Sequence, residues 1–224
     1  PLAQTEWQKW YLHSNGSANT VIGNGTLSPD PPGQESPDRY VYDPEYPVPT
    51  RGGNNCCSPH IVPWGPYDQR CLEMRSDVLC YTSAPLATDL QVTGPIMLTL
   101  YAATDCRDTD WTAKLIDVSP TGYAMNLCDG ILRARYREGF ASPRLLEPGK
   151  VYGYEIEVGV TGNVFRKGHR IRLEISSSNF PRFDRNLNTG HDLGLDAEMR
   201  QAKQTVYHAR EYPSHILLPV IPAE

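Results

Sequence analysis

Alternation of apolar and polar residues dominates the second half of this chain. Ile171, Leu173 and Ile175 alternate with Arg170, Arg172 and Glu174, the period-2 signature of a strand with one apolar face. Ile96, Leu98 and Leu100 share another strand face, and a mixed strand over 112–118 runs into the turn "SPTG". After the turn "EPGK", Tyr152, Tyr154, Ile156, Val158 and Val160 oppose Val151, Gly153, Glu155, Glu157 and Gly159. Leu132, Ala134 and Tyr136 face away from Arg133, Arg135 and Arg137, which predicts a strand with one strongly basic face. Two last strands are expected near 205–210 and 214–220, and one short helix over 196–203. Many short strands, regular turns and almost no helix predict an all-β sandwich or barrel, and periodicity does not choose between them.

The first third reads differently. Residues 28–70 hold ten of the twenty prolines together with Gly33, Gly52, Gly53 and Gly65, which predicts extended, irregular chain. A loop of that length lies across a surface. Its aromatic residues Tyr40, Tyr42, Tyr46, Trp64 and Tyr67 supply contact area either for another domain or for the sandwich itself.

The strand at 171–175 ends in the run "SSSNFPRFDRNLNTG". Arg182, Asp184, Arg185 and Asn186 form a dense polar cluster there, with Phe180 and Phe183 as apolar anchors. Two arginines beside one aspartate suit a bidentate ion pair that pins a corner, so these four residues are expected to be a structural network.

That run resembles a family signature, and five further segments do so in the same order: "WYLHSNGSANT", "DTDWTAKLIDVSPTGYA", "DGILRARYR", "FRKGHRIRLEISSS" and "PSHILLPVI". Together they are similar to the carboxy-terminal domain of the Xaa-Pro dipeptidyl-peptidase / cocaine-esterase-like (CocE/NonD) serine hydrolases. The resemblance implies a jelly-roll, galactose-binding-like β-sandwich that follows an α/β-hydrolase domain. It implies peptide, ester or amide hydrolysis in which Ser, Asp and His all belong to that other domain. One domain over 1–224 is expected, cut from a longer chain, with the catalytic domain as its partner and a homo-oligomer as a further possibility. Trp10, Tyr11, Asp108, Asp110, Trp111 and Phe180 are the candidate residues for the domain interface or pocket rim. His13 matches the start of the domain and receives no catalytic role.

Composition narrows the chemistry. A net charge of −5 argues against nucleic acid, which needs a basic surface. No apolar run approaches a membrane span, and a cytoplasmic location is the default expectation. The chain has no G-x-S-x-G elbow, H-E-x-x-H, P-loop or G-x-G-x-x-G. Its six histidines are scattered, no cysteine pair has C-x-x-C spacing, and neither a cofactor nor a metal is expected. Asp105, Asp108 and Asp110 could in principle hold calcium, but the spacing is not an EF-hand and pairing with Arg107 or Arg133–Arg137 is preferred. The cysteines are expected to be free thiols, with Cys56 and Cys57 the least predictable. The alternatives are a carbohydrate-binding module, by analogy with lectin-like jelly rolls, and a purely structural or dimerising module.

Overall fold

The computed structural model describes residues 2–55 and 60–222. Cys56 and Cys57 lie outside the described residues; Cys71, Cys80, Cys106 and Cys128 are free thiols. Eleven strands follow one another: β1 (Glu6–His13), β2 (Thr26–Ser28), β3 (Asp38–Tyr42), β4 (Leu79–Thr82), β5 (Leu90–Thr104), β6 (Asp110–Val118), β7 (Ala124–Arg133), β8 (Tyr152–Phe165), β9 (Arg170–Ser176), β10 (Ala202–Tyr207) and β11 (His215–Ile221).

Hydrogen bonding runs β3-β10-β5-β11-β1-β2-β4-β9-β6-β7, and β8 pairs with the other edge of β5. The link between β2 and β4 is a single parallel bridge, Thr26 to Thr82, so the path folds there into two layers. Layer one holds β3, β10, β5, β8, β11 and β1; layer two holds β4, β9, β6 and β7. The apolar sides of both meet in one core that includes Trp10, Leu98, Trp111, Leu115, Tyr154, Ile156, Leu173 and Ile216. Gly130 of β7 marks a close approach of the layers, since a Cβ there would lie 1.9 Å from the Glu157 carbonyl. The chain is all-β, as the alternation predicts, and a sandwich, as the family resemblance implies.

Several local expectations change. β8 carries a bulge opposite Ile96/Met97, where Gly159 sits at φ +128. One extra residue reverses which side chains face inward. Val160, expected on the apolar face with Val158, is therefore exposed, and Phe165 is buried. The basic strand face at 133–137 does not form. β7 stops at Arg133, and Ala134–Tyr136 is a 3-10 turn. The helix expected over 196–203 is irregular chain running into β10. The segment 28–70 contributes β3, and Tyr40 and Tyr42 enter the core. Tyr46, Trp64 and Tyr67 remain exposed, so the aromatic residues of this segment divide between the two roles considered for them.

β9 departs furthest from a one-sided strand. Arg172 and Glu174, on its polar face, are as buried as Leu173. Residues 67–77 form a series of turns across the outer face of layer two, held by Gln69 N–H donating to the Ala124 carbonyl at 2.8 Å. Val48, Leu72, Val78 and Cys80 make a small second core beneath them.

Candidate functional site

The corner after β9 is built by ion pairs, but not within itself. Asp184 is 77% exposed and reaches Arg133 at 3.2 Å. Among the described residues it pairs with neither Arg182 nor Arg185, which corrects the expected network. Arg182 crosses to Asp129 of β7, whose other oxygen accepts from Asn179 Nδ2 at 2.7 Å. Arg185 donates to the Pro44 carbonyl at 2.9 Å and lies over the Phe180 ring. A strand's neighbours in space supply partners that spacing along the chain does not show.

Asn186 is the hub. Its Nδ2 donates to Asp108 Oδ2 at 3.0 Å and to Asp110 Oδ1 at 2.8 Å. Arg135 Nε donates to Asp108 at 2.8 Å and Arg133 Nε to Asp110 at 2.9 Å. Asp110 opens β6 opposite Arg133, the last residue of β7, while Asp108 just before β6 meets Arg135 in the following 3-10 turn, so the antiparallel pair brings the four charges together. Burial pushes the Asp110 carboxyl up to about 6, against the opposing bonds from Arg133 and Asn186.

These contacts revise the interface list. Asp108, Asp110, Trp10 and Trp111 are all buried, and Trp111 packs against Tyr154 with ring centroids 5.7 Å apart. None of the four presents a surface to a rim. Tyr11 is partly exposed and leans on His215, and Phe180 is 40% exposed.

Exposed apolar residues gather elsewhere, at a hairpin that sequence reading did not resolve. Gly53 and Gly65 exchange backbone hydrogen bonds at 2.8 and 2.9 Å. Gly52, Gly53 and Gly65 all have φ between +68 and +97, which only glycine adopts without strain. Trp64, Asn55, Leu127, Asp129, Val160 and Arg182 line an open cleft of about 510 Å³ beside it. A second cleft, about 400 Å³, opens between Phe180, Arg185, His191 and Met199. At its edge His191, Asp196 and Glu198 bring ligand atoms within 4.8 Å of one another. Both Asp196 oxygens are already engaged there, by His191 Nδ1, Thr189 Oγ1 and Glu198 N–H, as in an ordinary polar turn.

A Ser–His–Asp trio does occur, assembled from dispersed positions. Ser14 Oγ donates to Asp38 at 2.7 Å, and His208 Nε2 lies 2.9 Å from Asp38 Oδ2. Ser14 Oγ also lies 3.3 Å from His208 Nε2, but its short bonds run to the Asp38 carboxylate that His208 shares, His208 Nδ1 faces Glu35, and all three members of the trio are buried and closed to substrate. A nucleophile needs its proton taken by the base and its oxygen open to substrate. This trio is a lock that joins the end of β1, β3 and β10, with Tyr81 of β4 as a further donor. Burial works to raise the Asp38 pKa, and the bonds from His208, Ala18, Ser14 and Tyr81 outweigh it, so the net shift is downward.

Comparison with known proteins settles what this architecture is. The family described as "X-Pro dipeptidyl-peptidase C-terminal non-catalytic domain" matches residues 1–217. The chain belongs to this family. It is 46% identical to the cocaine esterase of Rhodococcus sp. (strain MB1 Bresler) over 223 residues, covering 99% of this chain and 38% of the esterase. An aminopeptidase from the marine sediment archaeon Thaumarchaeota archaeon superposes with a TM-score of 0.86 at 33% identity, covering 97% of this chain and 37% of that one. An α-amino acid ester hydrolase gives a TM-score of 0.83 at 32% identity, covering 95% of this chain and 36% of that one. The chain therefore spans little more than a third of the length of these relatives.

Proposed function

We propose that this domain serves a serine hydrolase of peptides, esters or amides by covering its α/β-hydrolase domain and forming part of the substrate-pocket rim. The observation that carries this reading is the face around the glycine hairpin. Ile61, Trp64 and Tyr67 expose 72%, 50% and 38% of their surface within seven residues. Val160, turned outward by the β8 bulge, shares the cleft with Trp64. Exposed apolar side chains gathered beside a cleft suit a surface that another domain covers. Asp129 and Arg182 at the cleft floor add a polar, fixed base, as expected where two domains enclose a pocket.

Hydrogen exchange tests the docking. Peptides covering 46–55 and 61–67 should exchange fast in this domain alone and become protected in the full-length hydrolase. Equal, strong protection in both would show that the hairpin packs on its own sandwich, and the docking reading would be abandoned.

A further inference from the structure

The outer face of layer two holds a buried ionic cluster that docking does not use. Gln69 and Glu73 come from the turns at 67–77, Cys80 from β4, Lys114 from β6, and Arg172 and Glu174 from β9. All six residues are more than nine-tenths buried. Arg172 Nη1 lies 2.6 Å from Glu73 Oε1, and its Nε donates to Thr82 Oγ1 at 2.8 Å. Lys114 Nζ donates to Gln69 Oε1 at 3.0 Å and stays 3.7 Å from Glu174 Oε2. Glu73 thus has a close cation, whereas Glu174 has a distant one.

The carboxylate oxygens show what is missing. Glu73 Oε2 and Glu174 Oε1 have no hydrogen-bond donor among the described residues, and Glu73 Oε1 has only its ion-pair contact with Arg172. Both carboxyl groups belong to one buried cluster, Glu73 against Arg172 and Glu174 facing the Lys114 ammonium that Gln69 holds. Leaving two buried acceptors unsatisfied is costly, and two adjacent carboxylates do not both ionise readily. One proton, carried on Glu174 and donated to Glu73, satisfies both groups at once.

We propose that residues 67–77 form a proton-controlled clasp, closed while Glu73 and Glu174 share a proton and loosened when that proton leaves. Burial pushes the Glu174 carboxyl up to about 7; Lys114 opposes this, Glu73 adds to it, and Arg172 opposes more weakly. The Cys80 thiol beside the pair is held neutral by burial, and Arg70, outside the cluster, feels Glu73 across the turn. When the clasp opens, the Glu174 carboxyl returns towards its ordinary 4.5, so closing takes up a proton. The clasp's advantage is full below that ordinary value and is lost as pH rises through 7.

The clasp is continuous with the hairpin. Arg51 Nε donates to the Asp68 carbonyl at 2.6 Å, and Gln69 Nε2 donates back to the Arg51 carbonyl at 2.8 Å. Loosening at 67–77 therefore reaches the Trp64 face and sets how firmly it docks. That consequence rests on the docking reading above; the clasp itself does not.

Hydrogen exchange across pH reads the clasp directly. After correction for intrinsic exchange, amides of 68–77 should lose about tenfold protection between about pH 5.5 and 8.5, relative to amides of β5. Glu174→Gln, neutral and able to donate, should remove that step. Should the variant fail to fold, carbon-13 titration of the wild-type glutamate carboxyls should show one group changing near pH 7. Flat wild-type protection, a step that survives in Glu174→Gln, or glutamates that all titrate below about pH 5.5 would overturn the clasp. Failure of docking in the full-length hydrolase leaves this pH step in place, so the two readings fail separately.

Discussion

Replacing Asp129 by alanine should be far more damaging than replacing Asp184, although Asp184 is the aspartate that the sequence places between two arginines. The Asp129 side chain is 2% exposed, and its Arg182 partner is 17% exposed. Removing the carboxylate leaves a partly buried guanidinium without its anion and Asn179 Nδ2 without its acceptor. Breaking a buried pair from one side costs about 3–5 kcal/mol, and the residual exposure of Arg182 places this case near about 3 kcal/mol. Unfolding entropy of roughly 2.1 cal/mol/K per residue gives about 0.5 kcal/mol/K for 224 residues, so the melting temperature should fall by about 6 °C. Asp184, 77% exposed, forms a screened surface pair worth under about 1 kcal/mol, or about 2 °C at most. Calorimetry on Asp129→Ala, Arg182→Ala, the double variant and Asp184→Ala provides the test. The double variant should lose clearly less than the sum of its singles. Additive losses, or an Asp184→Ala loss equal to that of Asp129→Ala, would show that the corner is not held through β7.

Two other outcomes follow from the packing and the charges. Gly130→Ala places a Cβ 1.9 Å from the Glu157 carbonyl and should force the layers apart at a cost of about 3 kcal/mol, whereas Gly162→Ala, with nothing within 4 Å, should change stability little; chemical denaturation curves that coincide for the two would refute the close approach. Asp38, whose pKa is depressed in the fold, contributes stability present above its ordinary 3.8 and lost as pH falls through its lower folded value, so Asp38→Asn should be less stable at neutral pH yet show a shallower acid-unfolding slope by circular dichroism; identical slopes would remove Asp38 from the acid transition.

The fold was legible because strand alternation is a local property. Ile96, Leu98, Leu100 and the Tyr154–Val158 face could be assigned from neighbours two residues away, and the structure buries each of them. The failures mark where the deciding term is not local. Val160 follows its strand's alternation perfectly and still points outward, because Gly159 spends one residue on a bulge. Arg172 and Glu174 read as a solvent face until a turn nearly a hundred residues earlier lies over them and supplies Glu73. The expected pairing of Asp108 and Asp110 with the arginines of 133–137 forms, but the strand face expected there does not, because β7 stops at Arg133 and the chain turns.

The same logic separates the two kinds of charge in the corner motif. Proximity in sequence suggested that Asp184 holds Arg182 and Arg185, but a tight loop turns consecutive side chains in different directions, and each arginine reaches what lies along its own direction. Arg182 finds β7, Arg185 finds the Pro44 carbonyl, and Asn186 finds two aspartates at the start of β6 at once, Asp110 in the strand and Asp108 just before it. A motif this polar is therefore best understood as a set of tethers from one loop to three separate segments. Its tight spacing reflects how little chain is needed to reach all of them. One of these tethers, Arg182 to Asp129, borders the hairpin cleft, so rigidity at the corner fixes the floor of the face proposed to meet the catalytic domain. The hairpin above that floor is governed instead by the clasp, and the two parts of the face should respond independently: Asp129→Ala should loosen the floor at every pH, whereas a rise in pH should loosen only the hairpin side.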